Sequence, residues 1–394
     1  MIDFAQKGKI TVTCFDRFAP NLEQEIIALG FTPTEVYRTR VTITGSLNDC
    51  MFLNLHLRTA SNVLFWLADF PLHHVNDLYG KIKSQPWENY LAKDGYFSVS
   101  STVDHETVDN PLFVNVRIKD AIVDRFRDQF GVRPNSGSDF EGAVIQLYWK
   151  NNQASLYLNT SGETLVKHGY RQVPGKAPMM EALAAATILA SNWDRKSPFI
   201  NPMCGAGTLA IEAALIATDR FPGLYRDHYS FMHFLGYDEK IYRQMKKEVY
   251  LRVKDDLEFP IIASDISPIA ITAAKINTET AGVQHLITFE TCDFAETTVP
   301  EGGQGVVFLN PEYGQRLGDV TELEATYKRI GDFMKQKCAG YAGLVFTGNM
   351  DLGKQIGLKP KRKIPFYNGT LDCRLLHFEL YAGTKRRFPV QETE

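Results

Sequence analysis

Asn310, Pro311 and Tyr313 are the residues whose types and spacing speak most directly of chemistry. They follow the apolar run Gly305-Val306-Val307-Phe308-Leu309, which reads as a strand. An amide, a proline and an aromatic therefore gather at a strand's C-terminal end, where open α/β sheets bind ligands. The amide oxygen and the proline carbonyl can accept hydrogen bonds, and the ring can stack on a planar group. Upstream, Phe199 and Ile200 lead into Asn201-Pro202-Met203-Cys204-Gly205-Ala206-Gly207-Thr208, and a helix opens on Leu209. A strand, a Gly-rich turn and a helix aim backbone amides at whatever binds. Gly205 and Gly207 let the main chain turn sharply and lie close to it. The spacing is G-x-G without a third glycine, so it is neither a dinucleotide fingerprint nor a Walker loop. A tight turn with no ligand is the plain alternative. Two further strands, 260–264 and 287–292, run into Asp265 and Asp293.

Strand ends carrying G-x-G, Asp, Asp and N-P-x-Y in that order resemble the S-adenosylmethionine-dependent amino-methyltransferases. Other runs narrow the resemblance: Leu158-Asn159-Thr160-Ser161-Gly162-Glu163, then Lys167-His168-Gly169-Tyr170-Arg171, then Glu212-Ala213-Ala214-Leu215-Ile216-Ala217. With the turn at 201–208 they resemble, over essentially the whole chain, the THUMP-domain guanine-N2 methyltransferases of large-subunit ribosomal RNA. In some bacteria that enzyme is the N-terminal half of a fused protein, and this chain is similar to the stand-alone members. The resemblance implies an α/β fold. A Rossmann-like class I methyltransferase domain would occupy 161–394. Before it would come an α+β RNA-binding region, with a ferredoxin-like module at 1–47 and a THUMP domain at 48–160.

The resemblance also implies S-adenosylmethionine as cofactor, held by Asn201, Pro202, Cys204, Gly205, Gly207, Thr208, Asp265, Ile266, Asp293, Phe294 and Asn310. The turn would lie beneath the methionine part. Asp265 would accept both ribose hydroxyls, a task that suits an ionised carboxylate. Asp293 would accept from the adenine amine, with Phe294 as an apolar wall. Each acid taken alone reads equally as a surface or capping residue. Asn310, Pro311 and Tyr313 would be catalytic: two acceptors hold an exocyclic amine while the ring stacks on the target base. No metal is required. Two positions depart from the family pattern. Asn201 stands where an acid is usual, and Glu312 where proline is usual. Cys204 reads as a small packing residue, since no base is placed beside it.

The formal net charge of −3 gives no global basic footprint, so any contact with a polyanion must be local. The candidates are Arg117 and Lys119 on a helix at 113–130, Lys167 and Arg171 in a Gly/Pro-punctuated connector, and Arg316 beyond Tyr313. Ordinary helix-surface charge is the alternative for the first two. His168 reads as structural or as a further RNA contact. The partner implied is large-subunit rRNA, with tRNA as an alternative because THUMP modules serve tRNA enzymes as well. From another class, a catalytically silent RNA-binding assembly factor stays open through Glu312 and Asn201. A DNA adenine methyltransferase shares N-P-x-Y, but the first 160 residues speak against it.

The elements that must position these groups show in the pattern. Strands are expected at 9–15, 36–44, 96–103, 142–149 and 154–158, the last two joined at Asn151-Asn152. Helices are expected at 21–29, 49–66, 113–130, 179–193, 209–218, 267–278 and 323–337. Asn368-Gly369 signals a final β-hairpin. Asp265 follows Gly207 by 58 residues, where a plain βαβ unit places its acid about 20 on, so an insert with a charged helix near 238–254 intervenes. No apolar run is long enough to predict a membrane helix, and no basic-then-apolar leader opens the chain. The six cysteines include no C-x-x-C pair, which argues against zinc and for a reducing, cytoplasmic setting.

Overall fold

The computed structural model describes residues 2–175, 178–313 and 320–381. It divides into two compact units: Met1–Tyr170 with Met180–Ala186 and Thr218–Asp255, and Arg171–Met179 with Thr187–Ala217 and Asp256–Glu394.

The first unit opens with β1 (Gly8–Cys14), α1 (Ala19–Ala28), β2 (Pro33–Tyr37), β3 (Arg40–Gly45) and α2 (Leu47–His56). It continues with β4 (Ala60–Pro71), α3 (Val75–Lys83), β5 (Tyr96–Asp104), α4 (Pro111–Phe130), β6 (Asn135–Gly137), β7 (Ala143–Lys150) and β8 (Gln153–Asn159). One eight-stranded sheet runs β2-β3-β1-β4-β8-β7-β5-β6. The helix expected over 49–66 is instead α2 followed by β4. Ser46 starts α2 with a capping box, its Oγ accepting the Asp49 N–H and its own N–H donating to Asp49 Oδ2 at 2.7 Å. The Glu25 carboxylate then accepts the N–H groups of Arg58 at 2.9 Å and Thr59 at 3.0 Å, drawing the chain out of the helix. Beyond that, Val63 pairs with Val12 on one side and Leu64 with Asn159 on the other. The apolar spacing of this stretch suits either structure; strand partners distant in sequence decide it.

The second unit begins its sheet after α5 (Glu181–Ala190), with β9 (Phe199–Pro202) and α6 (Thr208–Ala217), a helix buried on every face. The chain then leaves for the insert 218–255, which carries α7 (Glu239–Tyr250) and belongs to the first unit. Its ends are tied by Lys254 N–H to Thr218 O at 3.0 Å. Ser230 Oγ accepts the Val144 N–H at 2.7 Å, and Phe231 N–H donates to Thr160 O at 3.0 Å. Gly223 lies so close to Leu55 that a Cβ would come within 2.5 Å of its Cα, so only glycine fits.

The sheet resumes with β10 (Ile261–Asp265), α8 (Pro268–Thr280), β11 (Ile287–Thr291) and β12 (Val306–Leu309). It finishes with α9 (Val320–Lys337), β13 (Ala342–Thr347), α10 (Met350–Gln355), β14 (Arg362–Asn368) and β15 (Leu371–Glu379). The order is β11-β10-β9-β12-β13-β15-β14, parallel except for β15, which is antiparallel to both neighbours. This is the Rossmann-like class I methyltransferase topology. Ile200, Ile262, Val307, Leu309, Phe333 and Val345 share its core. The hairpin expected at Asn368-Gly369 is β14–β15, with Gly369 at φ 62°. Among the described residues, no helix is long and apolar enough to cross a membrane, and no cluster of His, Cys, Asp and Glu could hold a metal.

Candidate active site

The strand order reverses direction between β9 and β12, since successive crossovers leave β9 toward β10 and β12 toward β13. Such a switch point opens a crevice at the strands' C-terminal ends. Main-chain pairing between β9 and β12 extends from Val306↔Phe199 to Val307↔Ile200. Just beyond, the Asn201 side chain takes over, Nδ2 donating to Phe308 O at 2.8 Å. Asn201 is fully buried, and its Oδ1 has no partner among the described residues. It ties the two strands where they begin to part and does not line the cavity; Pro202, also buried, does not line it either.

After β9 the chain makes a tight turn in which Met203 (φ 57°), Gly205 (φ 54°) and Gly207 (φ 83°) are all left-handed. Met203 adopts this conformation at a cost of about 1–2 kcal/mol. The kink brings the Cys204 N–H onto Ser264 O at 2.8 Å. The two glycines do different work. A Cβ on Gly205 would meet nothing within 4 Å, so its bare Cα leaves open space on the cavity wall. A Cβ on Gly207 would sit 3.0 Å from Ala274 Cβ, so its bareness serves the packing of α6 on α8. Burial pushes the Cys204 thiol up, with the Asp265 charge adding to it, so the sulfur is a packing group and not a nucleophile.

Asp265 ends β10 beside this turn. Its Oδ2 accepts the Gly205 N–H at 3.0 Å and its Oδ1 the Ser267 N–H at 2.9 Å. Two backbone amides thus fix the carboxylate while leaving each oxygen a further lone pair. Asn310 directly follows β12, and its Oδ1 is buried with no partner among the described residues. Between them lies a cavity of about 550 Å³. Its walls include Cys204, Gly205, Thr208, Asp265, Ile266, Asn310 and Pro311, all expected from the sequence. They also include Met203, Ala206, Gly175, Met179, Glu322 and Thr326, which were not. Met203 and Ala206 lay inside the motif and could have been read from it. The first two turns of α9, which supply Glu322 and Thr326, carried no local signal.

Tyr313 stands beyond Glu312. Its hydroxyl accepts from Asn368 Nδ2 at 2.8 Å, and burial raises its pKa. Gly348 leaves room for the ring, since a Cβ there would come within 3.0 Å of it. Asp293 is engaged elsewhere: its Oδ1 accepts from Ala295 N at 2.9 Å and from Arg329 Nη2 at 2.7 Å. Burial acts to raise its pKa, but these two donors outweigh burial and hold the carboxyl below its ordinary value. Phe294 is buried under the Arg329 guanidinium, 4.8 Å from the ring centroid.

The candidate RNA residues fall in both units: Arg117, Lys119 and Lys167 in the first, Arg171 in the second. On α4, the Arg117 guanidinium lies 5.2 Å over the Tyr79 ring, and Lys119 is half-buried. Lys167 is exposed, whereas His168 is buried with its ring Nε2 at 2.9 Å from Arg58 O, a structural role. Arg171 bonds Met179 O and Thr208 Oγ1, pinning the connector to the start of α6 beside the cavity. Arg316 lies outside the described residues.

Comparison with known proteins bears on both units. A family model described as RMKL-like, methyltransferase domain, matches residues 168–377. An RlmL ferredoxin-like domain matches 9–64 and a THUMP domain 73–159. The ribosomal RNA large subunit methyltransferase K/L of Syntrophotalea carbinolica is 35% identical over 370 residues, covering 92% of this chain and 52% of that protein. The enzyme of the same name from Pseudomonas aeruginosa is 33% identical over 381 residues, covering 94% and 53%. The chain thus spans about half the length of the curated relatives it matches. Among solved structures, SMU.472, crystallised with SAH, is 26% identical with a TM-score of 0.87, over 97% of this chain and 100% of that one. A Listeria monocytogenes protein described as a "predicted N6-adenine-specific DNA methylase" is 28% identical with a TM-score of 0.86, over 95% and 97%.

Proposed function

Since the chain belongs to the RMKL-like methyltransferase family, with THUMP and RlmL-type ferredoxin-like domains in its first half, we propose that it methylates the exocyclic N2 of a guanosine in large-subunit ribosomal RNA, with S-adenosylmethionine as donor. The observation that carries this reading is Asn310 Oδ1, a buried acceptor without a partner among the described residues, on the wall of the cavity that Gly205 and Asp265 also line. An unpaired buried oxygen costs about 1–3 kcal/mol. An N–H donor that enters the cavity removes that cost.

The residues fit the cofactor. The space beside Gly205 admits a ligand close to backbone, and the Asp265 carboxylate, already oriented by two amides, suits ribose hydroxyls. Ile266, 71% exposed, offers apolar surface to a base. When bound, the cofactor supplies an electrophilic methyl group. The work of the chain is to prepare the acceptor. Nitrogen N2 of guanine is a poor nucleophile because its lone pair is delocalised into the ring. Asn310 Oδ1 and the Pro311 carbonyl accept hydrogen bonds from its two N–H groups and draw the hydrogens out of the ring plane, which frees the lone pair; once the methyl group is attached, the surplus N2 proton passes to water. Positive charge that develops on the nitrogen then strengthens both bonds, so the stabilisation is greatest in the transition state. Tyr313, braced by Asn368, stacks on the extruded base. Glu312 is exposed at the cavity wall, and its carboxylate accepts from guanine N1–H. Adenine has no hydrogen on N1, so this acid favours guanine.

The test is to incubate the chain and labelled S-adenosylmethionine with unmodified 23S rRNA, bulk tRNA and DNA separately, then identify the labelled nucleoside. N2-methylguanosine from rRNA is the expected product. Label in tRNA alone moves the substrate, and N6-methyladenine in any arm overturns the guanine reading. Cofactor binding without label in any arm would favour a silent RNA-binding factor.

A further inference from the structure

We propose that the insert 218–255 carries a second RNA-binding site: a basic, tyrosine-edged hollow that grips the backbone of a single-stranded stretch and stacks one of its bases. The proposal rests on the RNA reading above and adds a place of contact that neither the motifs nor the THUMP match assigns. The hollow, about 340 Å³, is lined by Arg220, Leu224, Tyr225, Arg243, Lys246, Lys247 and Tyr250. Four of these are cations, two are phenols and none is an acid.

The arrangement follows from α7. Arg243, Lys246, Lys247 and Tyr250 recur at i, i+3, i+4 and i+7, so they share one face of that helix. Countercharges satisfy them only in part. Arg243 pairs with Glu239 at 2.8 Å and Lys246 with Asp227 at 3.2 Å, but both acids are more than half exposed, and such pairs hold weakly. Lys247 makes no ion pair among the described residues. Arg220 is the telling group. Its side chain is only 16% exposed, its nearest acid, Asp255, is 4.0 Å away and 91% exposed, and its Nε is buried with no partner among the described residues. A guanidinium held out of water with a free N–H favours a bound anion, and its planar fork suits phosphate.

Tyr250 adds the second half of the argument. It is 66% exposed, beside the equally bare Leu251 at 72%. An aromatic face next to cations whose countercharges are exposed or distant is the combination that tracks single-stranded nucleic acid, with phosphates on the charges and a base on the ring. An acidic peptide would satisfy the charges but leave the ring unused. The insert is also tied to β7, the strand next to β8, through the Ser230–Val144 bond, so the hollow sits on the unit that carries the THUMP match.

The test uses the full chain, protein-free large-subunit rRNA transcript and a labelled oligouridine. Arg243→Glu with Lys247→Glu, and separately Tyr250→Ala, alter exposed side chains. The double variant is expected to raise Kd for oligouridine and KM for transcript by about 10–100-fold, with kcat and cofactor affinity unchanged. Its slope of log Kd against log salt should shrink by about 1.4, at about 0.7 per lost single-strand phosphate contact. Tyr250→Ala should raise Kd about tenfold and leave the slope alone. An unchanged Kd and slope in the double variant overturns the site. So does normal binding of naked RNA with a defect only on protein-bearing particles, which would assign the hollow to an acidic protein. If the wild type methylates no RNA, the proposed activity fails by itself; the oligouridine comparison still decides the hollow.

Discussion

Asn310→Ala and Asn201→Ala should part company, although both asparagines end adjacent strands and both carry an oxygen without a partner among the described residues. At Asn310 the unpaired Oδ1 costs the folded state about 1–3 kcal/mol, and truncation removes that cost. The atoms lost take roughly 1 kcal/mol of packing with them. The net change in stability is a gain of about 0–2 kcal/mol, or at most about 4–8 °C in Tm for a domain of this size. Activity should fall about 10²–10³-fold, the usual loss when one preorganised transition-state partner is removed. At Asn201 the balance reverses. Its Nδ2 bond to Phe308 O is buried, so truncation orphans a carbonyl, at about 1–3 kcal/mol, and opens a void in a fully buried site. Relief from its own unpaired oxygen offsets part of this. The net loss is about 2 kcal/mol, or about 4–8 °C. Thermal unfolding, single-turnover methyl transfer at saturating substrate and cofactor titration would be run on both variants. A loss of more than about 2 kcal/mol in Asn310→Ala would mean that its oxygen is already paired and would overturn its role as a free acceptor. A variant that keeps more than about a tenth of the rate would overturn that role equally.

The two glycines of the turn should also separate. Gly205→Ala and Gly207→Ala each meet left-handed strain of about 1–2 kcal/mol. The first should weaken cofactor binding at least about tenfold by filling the cavity wall. The second should lose a further 1–3 kcal/mol or so against Ala274, with near-normal affinity in the folded fraction; calorimetric titration beside melting distinguishes them. Tyr313→Phe removes the bond to Asn368 but keeps the ring, so kcat should hold within about tenfold while Tyr313→Ala falls about 10–100-fold. Equal losses would shift the role to the hydroxyl. The Asp293 carboxyl is held below its unfolded value of about 3.9, so its stabilisation is complete above that pH and fades as pH falls through the native value. Asp293→Asn should therefore flatten the acid limb of Tm against pH below about pH 4, and an unaltered limb would show the ion pair to be idle.

Much of this protein is written in local pattern. The turn at 201–208 is legible because G-x-G after an apolar strand has few other uses, and the final hairpin because Asn368-Gly369 suits one turn type. The order of the strand ends, from the glycines through Asp265 to Asn310, was also readable, since each end is a short apolar run closed by a polar residue. Helix α3 and helix α10 escaped because they are short, nine and six residues. The stretch 49–66 escaped for a deeper reason. Its spacing fits a helix as well as a strand, and β4 exists only because β1 and β8 lie on either side to pair with it.

The same distinction runs through the site. Sequence alone could say that Gly205 and Gly207 tolerate a sharp turn. It could not say that one faces open space and the other Ala274, because α8 arrives from some 65 residues downstream. It could place Asn201 and Asn310 at strand ends, yet only the pairing of β9 with β12 decides that Asn201 donates to Phe308 and leaves the cavity to Asn310. It could measure the insert's length from the 58 residues between Gly207 and Asp265. That the insert joins the first unit, with four cations and two tyrosines lining one hollow, depends on bonds from Ser230 and Phe231 to strands far earlier in the chain. Backbone sign, period and turn chemistry act over a few residues and can be read there; pairing partner, open face and free acceptor are set by segments that meet only when the chain has folded.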